Sequence, residues 1–281
     1  DQTIIANTQD IDAQTYRYGR WGHWRGYEGS TAALNPFSNE TYYSGGGGGT
    51  LEGTSWGNSW IEGYGKADVV TGNWYLWRSQ RIIGPEGNQR DLGVVKDIGR
   101  SVEPITINVS NTATTTRDFT LCRDTTVGSS LIVLRNDGVI VRFDNENTSY
   151  TTIPRPSFSG YTGNCIAVNP ENVNELYVAD NTNGILKTTN GGASWTKISA
   201  VTGGIPTGVS FNNLYYHEGS GDLYAISSAN GIFLLKNGES QWQLWMKGYN
   251  PAAFGGAELN YATQEMMIYD YGRGIWIADL E

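Results

Sequence analysis

The chain has 281 residues, a formal net charge of −9 and a sequence pI near 4.8. Phosphate binding requires a basic face, so this acidic balance predicts no nucleic-acid partner. The longest apolar runs, such as 130–134, are too short to cross a bilayer, and the sequence predicts no membrane insertion. Its 37 glycines, 17 tyrosines and 10 tryptophans favour the turns and half-buried strands of an all-β fold.

The chain opens at Asp1 and continues directly into a strand-like segment at 3–6. Such an opening is typical of a processed mature chain or of a fragment of a longer secreted chain. We therefore expect a secreted or extracellular location. In this interpretation the domain docks onto other segments or chains of a larger assembly.

A repeat organises the sequence. Segments 33–60 and 167–195 share four features in the same order. Each has an Asn-Pro turn, then a short strand-like run that contains tyrosine, then glycines, and finally a Ser-Trp pair. The proline precedes the closing tryptophan by 24 residues in the first segment and by 25 in the second. Shared order, spacing and residue type indicate a repeated structural unit.

Weaker copies of this unit lie at 130–143, 222–242 and 266–277. Each has two strand-like runs around a glycine-containing turn, and Asn-Gly or Asp-Gly turns are strong hairpin signals. Units of about 40 residues with four short strands are typical of propeller blades. The sequence therefore predicts one all-β domain over 1–281, a β-propeller of about seven blades with incomplete terminal blades, rather than a β-sandwich.

Segment 188–195 matches the Asp-box or BNR pattern, S/T-x-D/N-x-G-x-S/T-W. Here the chain resembles the propellers of sialidases, xyloglucanases and sortilin-type receptors, and 53–60 and 235–242 are degenerate copies. The resemblance implies a folded turn in which polar side chains cap backbone N–H groups and the tryptophan packs between blades. The residues to which it assigns this structural role are Thr188, Asn190, Gly192 and Trp195.

Both ends of the chain carry a second resemblance. Segment 4–29 contains Asn-Thr-Gln-Asp followed by a tryptophan-bearing strand, and 258–276 ends in Tyr-Gly-Arg-Gly-Ile-Trp. These segments resemble the sortilin-like propellers of large secreted bacterial surface proteins, many of them type IX secretion substrates. The chain departs from that pattern at Asp12, Glu28 and Asp270. The resemblance implies a cell-surface role in adhesion or display.

Asp10 and Glu28 are the best candidate pair of carboxylates, each in a turn after a strand-like segment. They could face a central funnel and hold a calcium ion or a sugar hydroxyl. They could instead cap the backbone amides of their own turns, and we favour this structural interpretation. No cofactor is expected from the sequence.

Six of the ten tryptophans lie between residues 21 and 77. Blade packing accounts for Trp21 and Trp60. The other four are candidates for a protein- or sugar-binding surface, because aromatic rings offer a large contact area at low entropic cost. These four are Trp24, Trp56, Trp74 and Trp77.

Metal and nucleophile chemistry find no support in the sequence. His23 and His217 are the only histidines, and neither lies at a metal-binding spacing from Cys122 or Cys165. The one G-x-S-x-G pattern, at 53–57, falls within the degenerate Asp-box copy at 53–60. The sequence leaves two alternatives for the cysteines, a disulfide bond or two buried free thiols.

Two classes of function remain. The first is a non-catalytic binding or display scaffold with a protein or glycan partner at the cell surface. The alternative is a glycoside hydrolase of sialidase or xyloglucanase type. A sialidase carries an Arg-Ile-Pro motif ahead of its first Asp box, whereas 81–83 reads Arg-Ile-Ile and follows the degenerate box. We therefore expect no enzyme.

Overall fold

The computed structural model of the chain describes backbone and side chains within 117–124, 128–144, 150–199, 204–245, 256–259, 265–269 and 275–280. Before residue 117, and at a few positions flanking the later strands, it describes the strand backbone only. Every helix or strand element in these ranges is a β-strand, which confirms the all-β prediction. A helix long and apolar enough to cross a membrane is not found in the described part of the chain.

The chain divides into two compact units, Asp1–Thr116 and Arg117–Glu281. The first unit contains three antiparallel sheets. Sheet 1 is β1 (Ile4–Thr8), β2 (Asp12–Arg17) and β3 (Arg20–His23); sheet 2 is β4 (Thr31–Leu34), β5 (Thr41–Gly45), β6 (Gly48–Leu51) and β7 (Thr54–Ser55); sheet 3 is β8 (Ser59–Asp68), β9 (Asn73–Gln80), β10 (Gln89–Val95) and β11 (Pro104–Ile107).

The second unit contains four further antiparallel sheets. Sheet 4 is β12 (Thr116–Asp124), β13 (Gly128–Arg135), β14 (Ile140–Asp144) and β15 (Thr151–Ile153); sheet 5 is β16 (Cys165–Asn169), β17 (Asn172–Asp180), β18 (Gly184–Thr188) and β19 (Thr196–Lys197); sheet 6 is β20 (Asn213–Tyr216), β21 (Leu223–Ser227), β22 (Gly231–Leu235) and β23 (Gln243–Leu244); sheet 7 is β24 (Phe254–Asn260), β25 (Glu265–Asp270) and β26 (Gly274–Asp279). Strands that are neighbours in a sheet also follow each other along the chain.

Among the described strands, the first and last sheets have three strands and the other five have four. This pattern of successive short meanders agrees with the repeated four-strand unit expected from the sequence. The number of blades, and the assignment of 1–281 to one domain, stay predictions.

Glycine turns set the register of the central hairpins. Strands β17 and β18 pair with Asp180 opposite Gly184, whose φ is 78°. Strands β21 and β22 pair with Ser227 opposite Gly231, whose φ is 93°. A positive φ is the conformation that glycine adopts at no steric cost. The two Asn-Gly pairs therefore form hairpin turns, as the sequence predicts.

The core of the second unit lies between sheets that pack face to face. Alternate residues of a strand face opposite sides of its sheet. In β17, Leu176 packs with residues of sheet 4, and Tyr177 packs with residues of sheet 6. Sheet 6 packs its other face against sheet 7, with Tyr224 and Met266 in one cluster. Sheets 4 to 7 thus stack in chain order, and both faces of the inner sheets are buried.

Candidate functional site

The candidate binding residues of the first unit fall largely outside the described residues. Asp10, Glu28, Trp24 and Trp56 lie there entirely, and their assignment stays a prediction. The other two, Trp74 and Trp77, lie on β9, where their backbones pair with Val95 and Leu92 of β10. Their side chains are outside the described part, so their role in binding also stays a prediction.

The turn between β18 and β19 is held by its own side chains. The Thr188 Oγ1 atom accepts the backbone N–H of Gly192 at 3.0 Å, and the Thr188 hydroxyl donates to Asn190 Oδ1 at 2.9 Å. The same Asn190 oxygen accepts the Ser194 N–H at 2.9 Å. These bonds satisfy backbone donors that the tight turn would otherwise leave without partners.

Two tryptophans tie a sheet to the one before it. The Trp195 indole N–H donates to the carbonyl of Pro154, which directly follows β15 of sheet 4, at 2.9 Å. The Trp242 indole N–H donates in the same way to the carbonyl of Ile198, which directly follows β19 of sheet 5, also at 2.9 Å. Trp195 is partly exposed, whereas Trp242 is buried in the core between sheets 5 and 6.

A cleft of about 420 Å³ opens between sheets 5 and 6. This volume lies within the range of sites that hold small ligands or single side chains of a partner. One wall comes from sheet 5, and the other comes from the start of β21 and the turn after β22. Its lining residues are Tyr177, Lys187, Lys197, Ile198, Gly221, Leu223, Leu235, Lys236, Asn237, Gly238, Glu239 and Ser240.

A hydrogen-bonded cluster orients the inner wall of the cleft. Lys187 Nζ lies 2.7 Å from Glu175 Oε1 and 5.1 Å from the centre of the Tyr177 ring. The Tyr177 hydroxyl donates to the same carboxylate at 2.5 Å, and Asn169 Nδ2 donates to its other oxygen at 3.0 Å. Burial by itself raises the pKa of Glu175, but the hydrogen bonds from Lys187, Tyr177 and Asn169 outweigh it and hold the pKa below its usual value.

The outer wall is a tight turn at 236–239, in which the Glu239 N–H donates to the Lys236 carbonyl at 3.0 Å. Asn237 anchors this turn to the β20–β21 connection. Its N–H donates to Asp222 Oδ1 at 2.7 Å, and its side-chain amide donates to the Ser220 carbonyl at 3.1 Å. The turn that carries Lys236 is therefore held in place before any ligand arrives.

The buried carboxylates of the second unit accept backbone hydrogen bonds. Asp180 accepts six, from the backbones of Thr162, Gly163, Thr182 and Asn183 and from the side chains of Thr162 and Asn183. Burial by itself raises the pKa of Asp180, but the N–H groups of Thr162, Gly163 and Asn183 hold it below its usual value. The six hydrogen bonds connect the loop before β16 to the β17–β18 turn through the Asp180 carboxylate.

Both cysteines are buried free thiols, which decides the alternative that the sequence left open. The Cys122 thiol donates to the carbonyls of Asn169 and Pro170 at 3.4 and 3.3 Å. Burial raises the pKa of Cys122 to about 12, so this thiol stays protonated at neutral pH. Within the described residues, no group of three or more His, Cys, Asp or Glu side chains is placed to hold a metal ion.

Sequence reasoning missed the residues of the cleft. Its three lysines, Lys187, Lys197 and Lys236, are separated in the chain and belong to no motif. Only the stacking of sheet 5 on sheet 6 brings them together. The available signal was their rarity, because the whole chain has six lysines and half of them line this cleft.

Comparison with known proteins identifies the fold. No family model matches the chain, and no curated protein matches it either. Among solved structures, the chain is similar to a GH74 enzyme of Niastella koreensis at 16% identity, covering 86% of this chain and 41% of that chain with a TM-score of 0.56. It is similar to Raptor of Chaetomium thermophilum at 11% identity, covering 91% of this chain and 24% of that chain with a TM-score of 0.61.

A third similar structure is YCF48 bound to D1 peptide, at 14% identity, covering 91% of this chain and 70% of that chain with a TM-score of 0.50. The GH74 enzyme and YCF48 are β-propeller proteins. At these identities the likeness shows the fold alone, and it supports a β-propeller for this chain. The chain spans less than half the length of the GH74 enzyme and about a quarter of Raptor.

Proposed function

We propose that the chain is a non-catalytic β-propeller that acts as a secreted or cell-surface scaffold and binds a protein or glycan partner. The observation that carries this proposal is the cleft between sheets 5 and 6, with apolar side chains in its lining and an oriented, charged rim. A similar solved structure was determined with a peptide bound, which supports binding of a polypeptide on this fold. The resemblance of both chain ends to secreted bacterial surface proteins supports the location.

The structural part of the proposal concerns the turn at 188–195. We assign it as an Asp box, supported by the bonds of Thr188 and Asn190 to the turn backbone and of Trp195 to Pro154. In this role it stabilises the scaffold and takes no part in ligand binding. The domain is a single propeller over 1–281, with about seven blades of which the terminal ones are incomplete.

A glycoside hydrolase is the second candidate, because one similar structure is a GH74 enzyme. Hydrolysis generally needs two carboxyl groups, one of them with a raised pKa. The pKa values of Asp180 and Glu175 are lowered instead. The candidate catalytic pair of this alternative is Asp10 and Glu28.

A panel of glycosidase substrates, run beside a glycan array and a peptide array, separates the two candidates. We expect saturable binding on an array and no turnover. Changing Trp74 and Trp77 together to Ala is expected to weaken binding while the circular dichroism spectrum is retained. Turnover that Asp10→Asn or Glu28→Gln abolishes would overturn the proposal in favour of the hydrolase.

A further inference from the structure

We propose that Asn237 is a site of spontaneous deamidation, at which the side-chain amide of the 236–239 turn converts to aspartate or isoaspartate. The candidates come from the sequence, which contains four Asn-Gly pairs, all of them in the second unit. Their asparagines are Asn183, Asn190, Asn230 and Asn237. The inference goes beyond the proposed function and does not depend on it, because it concerns the covalent chemistry of one turn.

The reaction joins the asparagine side chain to the backbone of the next residue. The backbone nitrogen of that residue attacks the side-chain carbonyl carbon, so that an N–Cγ bond forms, the Cγ–Nδ2 bond breaks, and ammonia leaves with the proton of the attacking N–H. Water then opens the cyclic imide at either carbonyl carbon, which gives aspartate or isoaspartate. Glycine favours the attack because it has no Cβ and adopts the required backbone angles at low cost. A hydrogen bond on either reacting group slows the attack, because it has to break first.

The pair at Asn190 is held at both reacting groups. The Gly191 N–H, which would attack, donates to the Asn174 carbonyl at 2.9 Å. The Asn190 side chain accepts the Ser194 N–H at 2.9 Å and donates to the Ser194 hydroxyl at 2.8 Å. Attack requires the loss of bonds on both sides, so the turn at 188–195 protects its own asparagine.

The pairs at Asn183 and Asn230 are held by hairpins. The glycine after Asn183 lies opposite Asp180 at the end of the β17–β18 ladder, and Asn183 Nδ2 donates to Asp180 Oδ1 at 2.8 Å. The glycine after Asn230 is buried opposite Ser227 at the end of the β21–β22 ladder, and Asn230 Nδ2 donates to the Ser227 hydroxyl at 3.1 Å. Strand pairing fixes the backbone of both glycines, so attack requires local opening of the hairpin.

The pair at Asn237 is the open one. Asn237 and Gly238 are the central residues of the 236–239 turn, whose closing bond runs from the Glu239 N–H to the Lys236 carbonyl. The Gly238 φ of 80° is typical of a type II turn, whose central peptide takes no part in that bond. Among the described residues, the Gly238 N–H has no acceptor, and nothing beyond the chain neighbours lies within 4 Å of a Cβ at this position. Both residues are exposed, so water reaches the imide.

One hydrogen bond opposes the reaction, and its loss is the consequence for the cleft. Asn237 Nδ2 donates to the Ser220 carbonyl at 3.1 Å, in an exposed position, and the Asn237 N–H donates to Asp222 Oδ1 at 2.7 Å. A carboxylate at this position cannot donate to Ser220, and it adds a negative charge beside Asp222 and Glu239. Isoaspartate also lengthens the backbone by one methylene. Deamidation therefore loosens the outer wall of the cleft as the chain ages.

The test is the rate of conversion in the whole folded chain, incubated at mildly alkaline pH in heavy-oxygen water and then digested with trypsin in ordinary water. Cleavage after lysine and arginine, except before proline, places the four asparagines in separate peptides, at 143–187, 188–197, 198–236 and 237–247. Mass spectrometry detects the heavy oxygen that imide hydrolysis adds in the folded chain, which excludes conversion during digestion. We expect Asn237 to convert at least about tenfold faster than each of the other three, because those must first lose a further hydrogen bond or strand pairing.

The matched control is the same chain unfolded in guanidinium chloride. There the four asparagines, each followed by glycine, are expected to convert within about threefold of one another. In the folded chain, Gly238→Ala is expected to slow conversion of Asn237 about tenfold, because the added Cβ hinders the attack, and to leave Asn190 unchanged. Conversion of another pair as fast as Asn237, conversion of Asn237 only after unfolding, or an unchanged rate in Gly238→Ala would each overturn the inference.

Asn237→Asp reproduces one product and tests the effect on the turn. We expect the Glu239 N–H, which closes the turn, to exchange with deuterium about fivefold faster in this variant, because the bond to Ser220 is lost and a like charge is added. The Gly191 N–H, in the turn at 188–195, should exchange at its native rate. Amide exchange followed by nuclear magnetic resonance measures both. Unchanged exchange of the Glu239 N–H would overturn the loosening of the cleft wall.

Discussion

Sheets 5 and 6 each lead from their third strand into a turn that ends seven residues later on a tryptophan, Trp195 in one and Trp242 in the other. Both indoles donate to the carbonyl that follows the last strand of the preceding sheet, at the same 2.9 Å. The two turns therefore make the same connection between sheets.

The turns differ in what holds them. The turn of sheet 5 is closed by its own Thr188 and Asn190. In the turn of sheet 6, Leu235 stands in the position of Thr188, and the carboxylate of Asp222, from the β20–β21 connection, holds the N–H of Asn237. The tryptophan bond is thus the element that the two sheets share, while the capping of the turn is supplied by whichever polar side chain lies within reach.

The largest expected loss of stability comes from replacing the two tryptophans. Trp242 is 3% exposed, so Trp242→Ala should lower the free energy of unfolding by about 3–5 kcal/mol through the lost contacts and the cavity. Trp195 is partly exposed, so Trp195→Ala should cost less, about 2 kcal/mol. Urea denaturation followed by circular dichroism measures both. Equal losses of unfolding free energy in the two variants would show that the shared hydrogen bond, and not the burial of the ring, determines the contribution of each tryptophan.

The next effect tests how tightly the sheet 5 turn meets sheet 4. Gly192 has a φ of 91°, and a Cβ there would lie 2.5 Å from the Pro154 carbonyl oxygen and 2.7 Å from Ile153 Cγ2. Gly192→Ala should therefore cost about 3 kcal/mol, from the strained φ and from the clash. Gly238 of the sheet 6 turn has a φ of 80° but no atom within 4 Å of its Cβ, so Gly238→Ala should cost about 1 kcal/mol. Similar melting temperatures for the two variants would contradict the close contact at Gly192.

Asp180 distinguishes the β17–β18 turn of sheet 5 from the β21–β22 turn of sheet 6, where Ser227 stands in its place. Asp180→Asn should destabilise the chain by about 2 kcal/mol at pH 7, because an amide cannot accept on both sides of the side chain. Ser227→Ala removes one bond, from Asn230 Nδ2 at 3.1 Å, and should cost about 1 kcal/mol.

The stability difference between the native chain and Asp180→Asn should decrease as the pH is lowered. The folded chain lowers the pKa of Asp180, so the stability from its carboxylate is present above the unfolded pKa of about 3.9 and is lost as the pH falls through the folded pKa. Melting curves of the native chain and of Asp180→Asn should therefore converge below about pH 4. A difference that stays constant down to pH 2 would contradict the hydrogen-bonded carboxylate.

The smallest expected loss of stability concerns the two asparagines whose side chains hold the turns, Asn190 and Asn237. Asn190→Ala removes the acceptor of the Ser194 N–H and should cost about 1 kcal/mol. Asn237→Ala removes only the bond to the Ser220 carbonyl, because the backbone bond to Asp222 persists, and should cost about 0.5 kcal/mol. Thermal melts of the two variants side by side measure the difference, and a larger cost for Asn237→Ala would contradict the capping by Asp222.

Local features were accessible from the sequence because they depend on residues close together in the chain. The hairpins that end at Gly184 and Gly231 follow from Asn-Gly pairs between apolar runs, since the glycine adopts the positive φ of the turn at no steric cost. The turn at 188–195 follows from a motif whose polar side chains bond within the motif itself. Sheets 4, 5, 6 and 7 contain the segments 130–143, 167–195, 222–242 and 266–277 that the sequence marks as repeats.

Contacts between sheets could be decided only by the tertiary structure. The Trp195 acceptor, Pro154, lies 41 residues away, and nothing in the sequence distinguishes that carbonyl from its neighbours. Asp180 was not singled out as a carboxylate of interest, because its partners at 162–163 come from the loop before β16. The cleft has the same origin: Lys187 and Lys197 belong to sheet 5 and Lys236 follows β22 of sheet 6, and the face-to-face packing of the two sheets makes them neighbours.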